Sequence, residues 1–188
     1  MVYSCSDLKK GLKILIDGVP HGITQFDFVK PGKGQALYKC RLRNMINGSQ
    51  FDRTFRSGES FESAPLDSRD MQYLYLDESG YVFMDSKTFE QVSIEGDTLG
   101  IDRYFLVDNM DVEILMFGEA GIGITLPIFV NMRVSQSDPW VKGDTASGNN
   151  KPATIETGYT LMVPSFVDEG SLIQIDTRTG EYVTRVKE

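Results

Sequence analysis

A lysine flanked by glycines is the residue of this sequence most suited to a specific chemical role. It lies in FVKPGKGQA (residues 28–36), between Gly32 and Gly34. Proline fixes its own φ and glycine accepts the positive φ of a tight turn, so Pro31-Gly32 predicts a chain reversal with Lys33 at its solvated tip. There the lysine serves either solubility alone or a partner that needs a cation. A G-x-x-x-x-G-K-[ST] phosphate loop is not indicated, because the upstream glycine and the following helix are missing.

The other residue types that carry chemistry form no recognisable site. His21 is the only histidine and has no H-x-x-x-H partner, which is typical of a surface or half-buried histidine. Cys5 and Cys40 form no C-x-x-C and no zinc-ligand spacing, which favours two free thiols in a reducing cytosol. No G-x-S-x-G elbow or dinucleotide fingerprint is present. We therefore expect no metal, no cofactor and no enzymatic activity. A hydrolase or transferase built from the many carboxylates stays open as an alternative.

Charge is divided unevenly along the chain, whose net charge is −8 over 188 residues. Residues 1–63 carry 10 Lys/Arg and 6 Asp/Glu, a balance of +4. Residues 64–188 carry 9 Lys/Arg and 21 Asp/Glu, a balance of −12. This asymmetry predicts that the N-terminal third binds a polyanion and that residues 64–188 need not do so.

One predicted strand of the N-terminal third carries a row of cations. Lys39, Arg41 and Arg43 alternate with three apolar residues, so one face of the strand is basic and the other is apolar. Such a row is either a solvated face or a binding face. Three like charges at two-residue spacing repel one another, which favours an anionic partner.

The elements that would position these residues are β-strands. Alternating apolar residues separated by turn signals are typical of an all-β protein, and the signals are Asp17-Gly18, Pro31-Gly32 and Asn47-Gly48. Helix is expected only as one turn in SDLKKG, closed by Gly11, and as a short segment near Asp97. MQYLYL-DESG-YVFM and VEILMF-GEAG-IGITL predict two strand–turn–strand units. Residues 135–158 nearly lack apolar residues and predict a long polar loop, either disordered or binding.

Membrane association is not expected. No apolar run reaches spanning length, and MVYSCSDLKKGLKILIDG at the N-terminus lacks the features of a signal peptide. We therefore expect a cytoplasmic protein.

A short internal repeat suggests the domain organisation. MDSKTFEQV (residues 84–92) and IDTRTGEYV (residues 175–183) share four of nine residues. The match predicts that residues 65–127 and 128–188 are two copies of one small β-barrel, after an N-terminal barrel of different pattern in residues 1–64.

Three segments together resemble one protein family, bacterial translation elongation factor P. FVKPGKGQA resembles its lysine loop, KGDTASGNNKPATIETG its third-domain signature, and IDTRTGEYVTRV its C-terminus. The resemblance covers the whole chain. It implies an SH3-like domain followed by two OB-type domains in an elongated L shape. It also implies a factor that binds the ribosome between the peptidyl and exit tRNA sites and relieves stalling at consecutive prolines.

The resemblance further implies roles for particular residues. Lys33 would be extended by a modifying enzyme so that it reaches the acceptor end of the peptidyl-site tRNA. The resemblance implies ribosome contacts by Gly143, Asp144, Thr145, Tyr182 and Arg185. With the loop residues Lys30, Pro31, Gly32 and Gly34 and the basic row Lys39, Arg41 and Arg43, these are the candidate contacts with tRNA or rRNA, on both ribosomal subunits. For Tyr182 the alternative is a strand residue that packs the last barrel. The protein would act as a monomer. A paralogue that serves a different stalled substrate stays open.

Overall fold

The structure, a computed structural model, describes residues 1–32, 34–137 and 150–187, which form mostly β-strands. In these ranges the strands are β1 Val2–Ser4, β2 Lys13–Ile16, β3 Val19–Val29, β4 Leu37–Asn44, β5 Gln50–Arg56, β6 Ser60–Glu62, β7 Leu66–Asp77, β8 Gly80–Asp85, β9 Gln91–Ile94, β10 Asp111–Phe117, β11 Ala120–Thr125, β12 Phe129–Ser137, β13 Asn150–Ile155, β14 Thr160–Pro164, β15 Leu172–Asp176 and β16 Glu181–Arg185. One α-helix, α1 Gly96–Leu99, and two 3₁₀ helices, Cys5–Asp7 and Gly100–Phe105, accompany them.

The strands form barrel-like antiparallel sheets. The N-terminal sheet has the order β2-β3-β4-β5, and the short pair β1-β6 packs into the same core. A five-stranded sheet follows with the order β11-β10-β7-β8-β9, and the last sheet has the order β14-β13-β12-β15-β16. The predicted all-β class is confirmed. No helix in the described ranges is long and apolar enough to cross a membrane.

The chain divides into two compact units, each with a large apolar core. One unit comprises Met1–Arg69 and Ile114–Gly123, and the other comprises Asp70–Glu113 and the described residues that follow Gly123. The first core is built around Ile14, Leu42 and Phe55, all fully buried. The second unites β12–β15 with Phe105, so the 3₁₀ helix Gly100–Phe105 is anchored to the last sheet.

The predicted hairpin turns are confirmed. Asp17 and Gly18 both have positive φ, 53° and 77°, between the paired residues Ile16 and Val19. Two consecutive positive φ values define a turn whose twist matches that of the flanking strands. Asn47-Gly48 lies in the longer β4–β5 connection, where Gly48 has a φ of 73° and its backbone N–H donates to the Asn44 carbonyl over 2.9 Å.

Two predictions about local structure need correction. The helical turn expected in SDLKKG is a 3₁₀ helix at Cys5–Asp7, capped by Ser4, whose backbone N–H donates to the Asp7 carboxylate over 2.8 Å. Leu8 is extended and buried in the core, which ends the helix early. The long polar loop is also interrupted: β13 occupies Asn150–Ile155, where alternate residues enter the core. Residues 138–149 lie outside the described part.

The internal repeat forms the same turn twice. In the β8–β9 hairpin the backbone N–H of Phe89 donates to the Asp85 carbonyl over 3.0 Å, and in the β15–β16 hairpin Gly180 donates to Asp176 over 2.8 Å. Phe89 and Gly180, which match in the repeat, have φ of 63° and 71°. The repeated sequence therefore encodes one turn geometry.

Candidate nucleic-acid interface

The loop that carries the candidate lysine is held at the end of the β3–β4 hairpin. The last paired residues before the loop are Val29 and Leu37. Lys30, Gly32 and Gly34 are exposed within it. The φ of Gly34 is 125°, a value that L side chains rarely adopt, so glycine is required there by the backbone. The predicted reversal near Pro31-Gly32 therefore joins two antiparallel strands, while Lys33 itself lies outside the described residues.

The basic row lies on one exposed face of β4, as predicted, but acidic residues face it. Asp27 on β3 pairs across from Lys39, and Asp52 on β5 pairs across from Arg41. The Arg41 guanidinium donates two hydrogen bonds to Asp52, with Nε–Oδ1 of 2.8 Å and Nη2–Oδ2 of 3.1 Å. These bonds lower the pKa of the Asp52 carboxyl below its ordinary value. Arg41 therefore presents much less net charge than its sequence position suggests.

Lys39 and Arg43 differ from Arg41 in this respect. Within the described part of the chain neither has an acidic partner close enough for an ion pair, and both are exposed. Arg43 pairs with the neutral Gln50 across the β4–β5 ladder. The electrostatic attraction of this face for a polyanion thus rests mainly on Lys39 and Arg43.

The C-terminal candidates lie together on β16. Tyr182 pairs with Ile175 and is half-buried against the core of the last sheet. This packing supports the alternative that Tyr182 is a structural residue. Arg185 is exposed and lines an open cavity of about 500 Å³. The other lining residues are Val186 and Lys187, which follow β16, and Gly170, Ser171 and Leu172 at the start of β15. Gly143, Asp144 and Thr145 lie outside the described residues.

Several residues have environments that the sequence did not reveal. His21 is buried, only 5% exposed, so the expectation of a surface or half-buried histidine is wrong. Its Nδ1 donates to the Val19 carbonyl over 2.9 Å, and its ring lies edge-on to Phe51. Lys151 is also buried, with Nζ 3.5 Å from a carboxylate oxygen of Asp168. The alternation of β13 could have identified Lys151, since it falls on the core-facing side.

The two thiols are free and buried, which agrees with the prediction of unpaired cysteines. Burial, together with the nearby Cys5, raises the pKa of Cys40 to about 11. A thiol with so high a pKa is almost wholly protonated at neutral pH and is a poor nucleophile. Among the described residues no group of three His, Cys, Asp or Glu could hold a metal ion.

Three family models match this chain in succession. They are the elongation factor P KOW-like domain over residues 4–61, the elongation factor P OB domain over residues 66–124, and the elongation factor P C-terminal model over residues 130–185. Together they span most of the chain.

Full-length relatives agree with these matches. Elongation factor P 2 of Geobacter sulfurreducens is 59% identical over 99% of this chain and 100% of its own length. Elongation factor P of Syntrophus aciditrophicus is 56% identical over the same shares. A solved structure described as eukaryotic translation initiation factor 5A from Methanococcus jannaschii covers 68% of this chain and 92% of its own, with a TM-score of 0.53 and 24% identity. That likeness concerns the fold alone.

Proposed function

Because the chain belongs to the elongation factor P family and is therefore a translation elongation factor that acts on the ribosome, we propose that it relieves stalling at consecutive prolines. In this proposal it binds both subunits between the peptidyl and exit tRNA sites. Proline is a slow substrate because its secondary amine lies in a ring and its fixed φ limits how the chain can be placed. The factor holds the peptidyl-site tRNA in a productive geometry, and the ribosome performs the chemistry.

The single observation that carries the proposal is the loop between β3 and β4. Its residues Lys30, Gly32 and Gly34 are exposed, and the φ of 125° at position 34 requires glycine there. Lys33 is proposed as the residue that a modifying enzyme extends and that reaches the tRNA acceptor end. A long, flexible cation suits contact with an RNA backbone, and small neighbours let it approach closely.

The remaining contacts come from the candidate residues named above. Among them we favour side chains that are exposed and not already bound to a carboxylate. In the N-terminal unit we assign Lys39 and Arg43 the main attraction for phosphates, since Arg41 already binds Asp52. The other proposed contacts are Lys30, Pro31, Gly32, Gly34, Gly143, Asp144, Thr145, Tyr182 and Arg185. Of these, exposed Arg185 is favoured over half-buried Tyr182 as a direct contact.

Three further assignments complete the proposal. The domains are residues 1–64, 65–127 and 128–188, a division supported by the separate matches over residues 4–61, 66–124 and 130–185. The protein works as a monomer in the cytoplasm. Its partners beyond the ribosome are the peptidyl-site tRNA and the lysine-modifying enzyme.

The test is translation of a proline-repeat reporter in an extract that lacks the native factor. The purified native protein should raise the yield of full-length product from the proline reporter and leave a proline-free reporter unchanged. Intact mass of the same sample should show an addition on the chain that maps to Lys33. Equal yields with and without the protein would contradict the proposed function.

A further inference from the structure

An exposed aromatic ring lies at the base of the lysine loop. Phe28 is 52% exposed and is the last residue but one of β3. Its ring centroid is 5.2 Å from that of Tyr38, its partner across the β3–β4 ladder. Phe26 supports Tyr38 from the same side, at 6.4 Å. The Phe28 ring thus packs against one aromatic neighbour, tilted by 50°, and about half of its surface meets solvent.

The position of Phe28 in the sheet explains this exposure. Phe55, Tyr38 and Phe28 are consecutive partners across β5, β4 and β3. Phe55 is fully buried and Tyr38 is half-buried, so the row runs from the core outward to Phe28. The pairing of β2 with β3 stops at Lys13–Gly22, so among the described residues no strand covers the far side of β3 at Phe28.

The charges around the ring indicate what kind of partner would cover it. Two exposed basic residues lie along the same row: Lys30 follows Phe28 by two residues in the loop, and the Arg53 guanidinium on β5 lies 5.3 Å from the centroid of the Phe55 ring. Lys39, Arg56 and Asp27 lie on the opposite face of the sheet. A fixed aromatic ring among cations is the combination by which proteins bind unpaired nucleotides, since every base has a face that stacks. A protein partner would more often meet an apolar patch of several side chains.

We propose that the open face of Phe28 stacks on an unpaired nucleobase at the 3′ end of the peptidyl-site tRNA. This inference rests on the proposed function, and it adds a contact to the base rather than to the backbone. Stacking tolerates any base, so one residue serves all tRNAs. The contact would fix the acceptor end beside the loop of residues 30–36 and so limit the positions that the loop must search.

The size of the effect follows from one lost stack. Removing the aromatic side chain from one stacked base lowers the equilibrium constant for that contact by about 5- to 150-fold. Ribosome binding is spread over other surfaces, so the loss should fall on the placement of the acceptor end. Phe28→Leu keeps an apolar side chain of similar size and removes the π-face. Phe28→Tyr keeps the ring.

The experiment uses deacylated tRNA in the peptidyl site of intact ribosomes, with 2-aminopurine at each unpaired 3′ position in turn. Stacking on an aromatic ring quenches 2-aminopurine fluorescence. The native protein and Phe28→Tyr should quench the probe at one position, and Phe28→Leu should not. Val29→Ala removes the next exposed apolar side chain of β3, which points to the other side of the strand, and should quench like the native protein.

Two results would overturn the inference. One is equal quenching by Phe28→Leu and the native protein, or quenching by neither. The other combines two measurements on Phe28→Leu: normal quenching, and an intact mass showing that Lys33 is no longer modified. Phe28 would then serve to dock the modifying enzyme. Circular dichroism confirms that each variant is folded. If the native protein does not raise the yield of the proline reporter, the proposed function is refuted. If it does raise that yield but the quenching differs from expectation, only the stacking of Phe28 is refuted.

Discussion

Replacing Asp52 by Asn should make ribosome binding tighter at low salt and more sensitive to salt. The Asp52 carboxylate holds the Arg41 guanidinium by two hydrogen bonds of 2.8 and 3.1 Å. Asn has nearly the same shape and no charge, so Arg41 becomes available to a phosphate. This prediction reverses the usual expectation that removing a surface ion pair weakens a protein's interactions.

The magnitude follows from counterion release. Each neutralised phosphate changes the slope of log K against log salt by about 0.7 to 0.9. Between 50 and 200 mM salt, one added contact therefore steepens the loss of affinity by about 2.5- to 3.5-fold. Arg43→Ala should flatten the dependence by the same amount. Arg41→Ala should change it little, because the charge of Arg41 is already paired.

The assay is the dissociation constant of the ribosome complex at several salt concentrations. The control is the double variant Arg41→Ala with Asp52→Asn, in which the effect of Asp52→Asn should vanish. Replacing Lys39, Arg41 and Arg43 together by Ala should then flatten the slope by about two contacts rather than three. The reasoning is refuted if Arg41→Ala flattens the slope as much as Arg43→Ala, or if Asp52→Asn keeps the native slope.

Three other predictions concern single residues. Lys33→Ala should change the free energy of unfolding by no more than about 0.5 kcal/mol, as for most surface substitutions, yet abolish rescue of the proline reporter. Lys33→Arg should fail similarly, since a guanidinium is not a substrate for an enzyme that modifies an amine; full rescue by either variant would contradict the mechanism. Because the folded pKa of Cys40 is raised to about 11 from 9.0, the contribution of Cys40 to stability should be constant below about pH 9 and be lost as the pH rises towards 11. Denaturant unfolding should show this fall, and Cys40→Ala should lessen it; an equal fall in that variant would assign it to other groups. Phe89→Gly should stabilise the fold by about 0.5 to 1 kcal/mol, because Phe89 is 70% exposed and has a φ of 63°. A lower midpoint of unfolding for Phe89→Gly would show that the ring packs usefully.

Turn chemistry is the part of this protein that the sequence determined by itself. Asp17-Gly18 and Asn47-Gly48 form the expected hairpins because positive φ is a property of one or two residues. The repeated turn has a local basis too: in each copy the carboxylate of the shared Asp accepts the backbone N–H two residues later, from Lys87 and from Arg178. The all-β class followed from the alternation between such turns.

Only the tertiary structure decided which side chains meet. Arg41 and Asp52 are eleven residues apart, and their ion pair depends on the register of β4 against β5. His21 was expected to be on the surface or half-buried, yet the packing of Phe51 and neighbouring strands buries it. Likewise, the helix expected in SDLKKG is shortened because Leu8 enters the core.

The candidate site divides along the same line. The lysine loop was recognisable because proline fixes its own φ and glycine permits the positive φ of a turn, whatever surrounds them. The net charge of the basic face and the exposed ring of Phe28 could not be recognised in the sequence, because each depends on a partner contributed by another strand. A sequence pattern shows which face of a strand a residue lies on, but the register between strands decides its neighbours, and a shift of one residue would change them all.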